Sequence, residues 1–184
     1  FGAPRSFSGH LALSPAPVLL MVDRDGSRLH WLVAPGKFGA AAALGAAQAG
    51  WVTLSGSLIE REHWRMVEIV PGSIRWQEGQ PPPPAAHLAA TRPVELTGEI
   101  VDGKCYLGVM NPGEGTVHRD CAVRCLEGGV PAMFAYQDQS GSHLALLLGA
   151  DSALRRSGVG RAVTLSGSLW GPEHALVFSL GSAP

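Results

Sequence analysis

Apolar and polar positions alternate over short stretches, and Gly, Pro, Asp or Ser interrupt them every few residues. Ser6–Leu13, Val18–Asp23, Leu29–Val33, Trp51–Ile59 and Trp64–Ile69 read as strands on this pattern. Arg24-Asp25-Gly26-Ser27 joins the second and third, and Asp-Gly in a short connection is a hairpin signal. The Ala-rich stretch Lys37–Ala49 stops before Gly50 and predicts a helix. Strand, strand, strand, helix, strand, strand is the order of the five-stranded OB-fold barrel.

The same pattern occurs twice. Val52-Thr53-Leu54-Ser55-Gly56-Ser57-Leu58 returns as Val163-Thr164-Leu165-Ser166-Gly167-Ser168-Leu169, and the same offset pairs Glu62-His63 with Glu173-His174. Gly26-Ser27-Arg28-Leu29 resembles Gly141-Ser142-His143-Leu144, and Ser8-Gly9-His10 stands where Thr97-Gly98-Glu99 stands. Repetition of this kind marks two copies of one unit. The second copy has strands at Val94–Val101, Ala132–Gln137, His143–Leu148, Ala162–Leu169 and Ala175–Leu180, with a short helix near Asp151–Arg156. Gly56 and Gly167 fall mid-strand, where small barrels bend sharply.

The fold class expected is therefore all-β with short helices, as two tandem OB-like five-stranded barrels. The first spans residues 1–76 and is expected to carry no site, serving packing or docking through an apolar patch that includes Trp31, Trp64 or Trp76. A linker at 77–92 contains Pro81-Pro82-Pro83-Pro84, which is extended and offers no backbone donors. The second spans 93–184.

Composition narrows the function classes. Of 184 residues, 46% are hydrophobic and 16% charged, the balance of a packed chain and not of a disordered tail. A net charge of -1 removes the electrostatic basis for nucleic-acid binding. No apolar run approaches the roughly 18 residues of a membrane-spanning helix. The chain opens on Phe1, not Met, which predicts processing or truncation and leaves room for a lost export signal or anchor.

The copies differ between their first and second strands. Copy one has only Ser14–Pro17 there; copy two has Asp102–Pro131. That loop borders the usual ligand face of an OB-fold. It holds all three cysteines, Cys105, Cys121 and Cys125, together with His118. Val117–Gly129 reads as one helix closed by Gly128-Gly129, and spacings of three and four put His118, Cys121 and Cys125 on one face. Cys105 approaches from the preceding turn-rich segment. Three thiols and an imidazole make a tetrahedral ligand set, with zinc the default metal and copper(I) or an iron–sulfur cluster the alternatives. The spacing is not that of a zinc finger. A disulfide from Cys105 to Cys121 or Cys125 is the competing reading, and a reactive Cys–His pair beside Arg119 and Arg124 is a third. His10, His30, His87 and His143 have no clustered partners, and His63 and His174 read as turn residues.

Gly98-Glu99-Ile100-Val101-Asp102, Cys105-Tyr106-Leu107-Gly108, Pro112-Gly113-Glu114-Gly115 and His118-Arg119-Asp120-Cys121-Ala122 followed by Cys125 resemble a family of poorly characterised bacterial exported or membrane-anchored proteins. That family shares a G-E-[IV]-[VL]-D-x-x-C-Y-[LF] opening and an H-x-x-C-A-x-x-C helix. The resemblance covers roughly residues 94–150. It implies that Cys105, His118, Cys121 and Cys125 form one functional unit. It also implies a periplasmic or otherwise extracytoplasmic, membrane-associated location, through a missing N-terminal anchor or a partner. Some members accompany membrane redox enzymes. The function expected is a non-catalytic metal- or cofactor-binding accessory subunit of a membrane electron-transfer complex, with protein subunits as partners. The alternative is a structural interaction module whose insert is stapled by a disulfide.

Overall fold

The computed structural model describes residues 2–23, 26–78 and 91–181. In the first half, β1 (Arg5–Ala12), β2 (Val18–Asp23), β3 (Gly26–Val33), β4 (Gly50–Arg61) and β5 (Trp64–Ile69) pair in the order β1-β2-β3-β5-β4. A β1–β4 pairing closes the barrel, and a short β6 (Arg75–Trp76) adds to β4. In the second half, β7 (Arg92–Asp102), β8 (Ala132–Asp138), β9 (Gly141–Leu148), β10 (Val163–Trp170) and β11 (Val177–Ser179) close in the same order. In each barrel the third and fifth strands are parallel and the other pairs antiparallel. The chain is thus two tandem five-stranded barrels of OB topology, as the strand order predicts. The Pro81–Pro84 run and the Arg24-Asp25 pair lie outside the described residues.

The sequence repeats are structurally equivalent. The two heptapeptides form β4 and β10. Ser8 and Thr53 share a hydroxyl hydrogen bond of 2.8 Å across β1 and β4, and Thr97 and Thr164 share one of 2.7 Å across β7 and β10. Gly56 and Gly167 are there for closeness: a Cβ would stand 2.3 Å from Val67 Cγ1 in one barrel and 2.3 Å from the Ser179 carbonyl oxygen in the other.

Strand alternation explains how the barrels join. Successive side chains point to opposite faces of a strand. In β3, Leu32 enters the first barrel's core while Trp31 and Val33 face out; in β5, Val67 and Ile69 face in while Trp64 and Met66 face out. In β8 and β9, Phe134, Ala145 and Leu147 fill the second core while Met133, Leu144 and Leu146 face out. The outward sets meet in one buried seam. By strand register, Val18, Trp31 and Met66 correspond to Met133, Leu146 and Val177, so the two copies use the same face against each other. Such mutual use of one patch is the logic of an isologous dimer contained within a single chain. Trp31 and Trp64, expected in an exposed docking patch, stack on each other inside this seam with ring centroids 6.4 Å apart; Trp76 is 50% exposed.

Three elements differ from expectation. The helix expected over Lys37–Ala49 is only α1 (Ala41–Leu44). Its first residues are held elsewhere: Gly36 has φ 70°, Gly39 pairs with Val33, and the Gly39 amide donates to the Gly128 carbonyl at 2.9 Å. Gly45, at φ 57°, ends the helix. The last strand shrinks from Ala175–Leu180 to β11, because Glu173–Ala175 forms a single tight turn. The insert helix begins two residues late, as α2 (Arg119–Glu127), after a separate 3-10 turn at Thr116–His118. The remaining helix is α3 (Ser152–Gly158), capped by the Asp151 carboxylate on the Leu154 amide. Among the described residues, no helix is long and apolar enough to cross a membrane.

Candidate metal centre

The insert leaves β7 at Asp102 and folds at once into a turn, Cys105–Val109, broken at Gly108 with φ 133°. Gly113 lets the following loop lie on that turn, since a Cβ there would stand 2.4 Å from the Cys105 carbonyl oxygen. Helix α2 then crosses the second barrel. Ala122 and Leu126 enter that barrel's core, while Cys121 and Cys125, one turn apart on the next face, point into the seam. There they meet Cys105. The thiol sulfurs of Cys105, Cys121 and Cys125 all lie within 4.8 Å of one another. The three cysteines are free, and Cys105 and Cys125 are buried.

His118 reaches this cluster by a different route from the one its spacing predicts. The 3-10 turn winds more tightly than an α-helix, so His118 does not continue the face of Cys121 and Cys125. Its Nε2 lies 3.1 Å from Asp102 Oδ2, and the pair is buried. Asp102, Cys105 and His118 form a second set of potential ligand atoms within 4.8 Å of one another. The result is two triads that share Cys105. Asp102 organises both, because its Oδ1 accepts the Cys105 amide at 2.8 Å.

The first barrel supplies a cation. Lys37 Nζ donates to Cys121 Sγ at 2.8 Å and lies 3.9 Å from Cys125 Sγ. The loop that carries it is fastened at both ends of the insert. Lys104, 3% exposed, donates to the carbonyls of Ala34 and Gly36 at 3.0 and 2.7 Å and pairs with Glu68. At the other end, Gly39 and Gly128 pack so closely that a Cβ on Gly128 would stand 1.8 Å from the Lys37 carbonyl oxygen.

The electrostatics follow from these contacts. Cys125 is held below the usual thiol range, chiefly because the Cys105 thiol donates a hydrogen bond to it, and Lys37 adds to the effect. Cys105 is pushed up, by that same bond first, then by burial and the Asp102 charge. Lys37 is raised by its bond to Cys121. The cluster therefore sets its sulfurs next to a fixed ammonium, which favours negative charge on them.

Sequence reasoning named Cys105, His118, Cys121 and Cys125 but missed Asp102, Lys37 and Lys104. A signal was present: the chain has two lysines, and both reach this seam. No family model, curated protein or solved structure matches this chain. What the site shows by itself is that its three-cysteine group and its Asp/Cys/His group can each hold a metal ion.

Proposed function

We propose that the seam holds one metal ion on Cys105, Cys121 and Cys125, with His118 as the fourth ligand. The observation that carries this reading is the convergence of three free thiols, from two segments of the insert, next to an ammonium from the other barrel. Three thiolates around a divalent ion leave one net negative charge, and Lys37 offsets it. The Asp102–His118 bond fits the same scheme. An imidazole that ligates a metal commonly gives its other N–H to a carboxylate, which fixes the ring and raises its basicity. With Nε2–H given to Asp102, Nδ1 carries the free lone pair.

Four protein ligands close the coordination sphere, so the centre is structural or electron-transferring and leaves no position for substrate. Zinc is the default ion; copper or an iron–sulfur cluster suits an electron-transfer role. The resemblance of residues 94–150 to exported proteins supports the finer reading. On it, the chain is an extracytoplasmic accessory subunit of a membrane redox complex, bound to the membrane through partner subunits or an anchor. Free thiols weigh against the disulfide-stapled alternative.

Elemental analysis of protein from its native host tests this. One metal per chain is expected, none in Cys121→Ser, and a roughly 10–100-fold weaker affinity in Asp102→Asn. Metal-free native protein with a disulfide inside the insert would refute the reading.

A further inference from the structure

A cavity of about 710 Å³ opens where the β4–β5 turn of the first barrel meets the second barrel. Ligand pockets typically measure about 300–1,000 Å³. Tyr136 of β8 and His143 of β9 line it, together with Glu114 of the insert and Glu173 of the β10–β11 connection. These are the second and third strands of the barrel and the loops after its first and fourth strands, the surface on which OB-folds bind extended ligands. The first barrel adds Arg61, Glu62 and Trp64.

The lining specifies a ligand chemistry. Glu62, Glu99, Glu114 and Glu173 face a single guanidinium, that of Arg61. His63 and His143 also belong to the titratable lining. Low-dielectric walls focus such a field and draw in cations. Arg61 shows what the walls accept. Its guanidinium lies 4.4 Å from the Tyr106 ring centroid and donates to the Tyr106 carbonyl at 3.1 Å. A guanidinium over an aromatic face is a favourable cation–π pair.

Two further features suit a polypeptide. Trp64 is 2% exposed, lines the cavity, and its indole Nε1 has no hydrogen-bond partner among the described residues. That leaves an unsatisfied donor within the cavity wall. Glu99 Oε1 accepts the amides of Gly115 and Gly160, at 2.8 and 3.0 Å, so the loop bearing Glu114 is held in place before any ligand arrives. A phosphate-bearing strand would be repelled by the same carboxylates, and a neutral oligosaccharide would leave them unpaired.

We propose that this cavity binds a basic peptide segment, an arginine- or lysine-bearing stretch of a partner polypeptide laid across β8 and β9 of the second barrel. The proposal does not depend on the metal centre.

Calorimetric titration of the full chain with a short blocked oligo-arginine peptide tests it. Saturable one-to-one binding is expected, weakening as salt is raised. The exposed-face variant Glu62→Gln/Glu114→Gln/Glu173→Gln should lose about tenfold or more in affinity, each partly solvated pair contributing modestly, while its metal content is unchanged. If that variant fails to fold, Glu114→Gln alone, at an exposed insert position, carries the same test with a severalfold loss. Trp64→Phe keeps a ring but removes the donor, and should weaken binding without changing its salt dependence. The proposal is overturned if oligo-arginine does not saturate, if the glutamine variants bind it as tightly as the parent, or if a neutral oligosaccharide or an oligonucleotide binds at least as well.

Discussion

Between their first two strands, the first barrel has residues 13–17 and the second has 103–131. The frames around these loops are otherwise superimposable in register, down to the paired hydroxyls and the mid-strand glycines. Every cysteine lies in the longer loop. The contrast teaches where chemistry enters a duplicated scaffold: the barrel tolerates a large insertion at the edge of its ligand face because no strand pairing crosses it. The short-loop copy is still not idle. Its β3–α1 loop delivers Lys37 to the thiols, and its outward strand faces bury the cluster.

Breaking the tie between the copies should have the largest effect. Lys104→Met removes the ammonium that joins Glu68 and two carbonyls of the first barrel to the root of the insert. It strands a largely buried carboxylate, which costs about 3–5 kcal/mol in comparable pairs. A lower urea midpoint, with both barrels unfolding less cooperatively, is the expected result; an unchanged midpoint would mean that the copies are not coupled there.

Acid should then separate the copies. His30 sits in the first barrel's core where the second has Ala145. Burial first, then the Arg65 charge, lowers its pKa from 6.5 to about 4. The unfolded chain binds this proton below pH 6.5, while the folded chain resists it until about pH 4. Stability is therefore lost as pH falls through that window, by at most about 3 kcal/mol. Denaturant midpoints measured across it should show the first barrel failing first, and His30→Leu should flatten the dependence. A second barrel that loosens first would reverse the assignment.

Gly39→Ala tests the close docking of the Lys37 loop on the end of α2. Its Cβ would meet the Gly129 carbonyl oxygen at 2.0 Å, and overpacking of this kind costs about 1–3 kcal/mol. Thermal unfolding should register the loss, and metal affinity should fall with it. Lys37→Gln should have the smallest effect, a roughly tenfold drop in metal affinity with the fold intact, as for other outer partners of a metal site. Equal affinity in parent and variant would remove Lys37 from the centre.

Much of this was legible in the chain. The heptapeptide repeat and strand order lead to two barrels, and the cysteines of the insert lead to the cluster. What escaped was what depends on the contact between copies. Leu144–Leu148 and Trp31–Ala34 are unbroken apolar runs, the mark of strands buried on both faces, and an exposed copy would have alternated. Trp31 and Trp64 consequently looked like an open docking patch although the second copy covers them. The Ala-rich stretch after Lys37 has helix propensity along its length, but docking of Gly39 on Gly128 overrides it at the start. His118 obeys the spacing rule for a helix that begins only after it. Asp102 read only as the first residue of the insert, because a single carboxylate announces nothing until two partners converge on it.

The central claim is that the insert's thiols and imidazole share one metal. X-ray absorption on protein from its native host addresses it most directly. For zinc, the account predicts three sulfur neighbours at about 2.3 Å and one nitrogen at about 2.0–2.1 Å, with the nitrogen lost in His118→Ala. A metal surrounded only by oxygen and nitrogen, or sulfur found bonded to sulfur with no metal present, would contradict it.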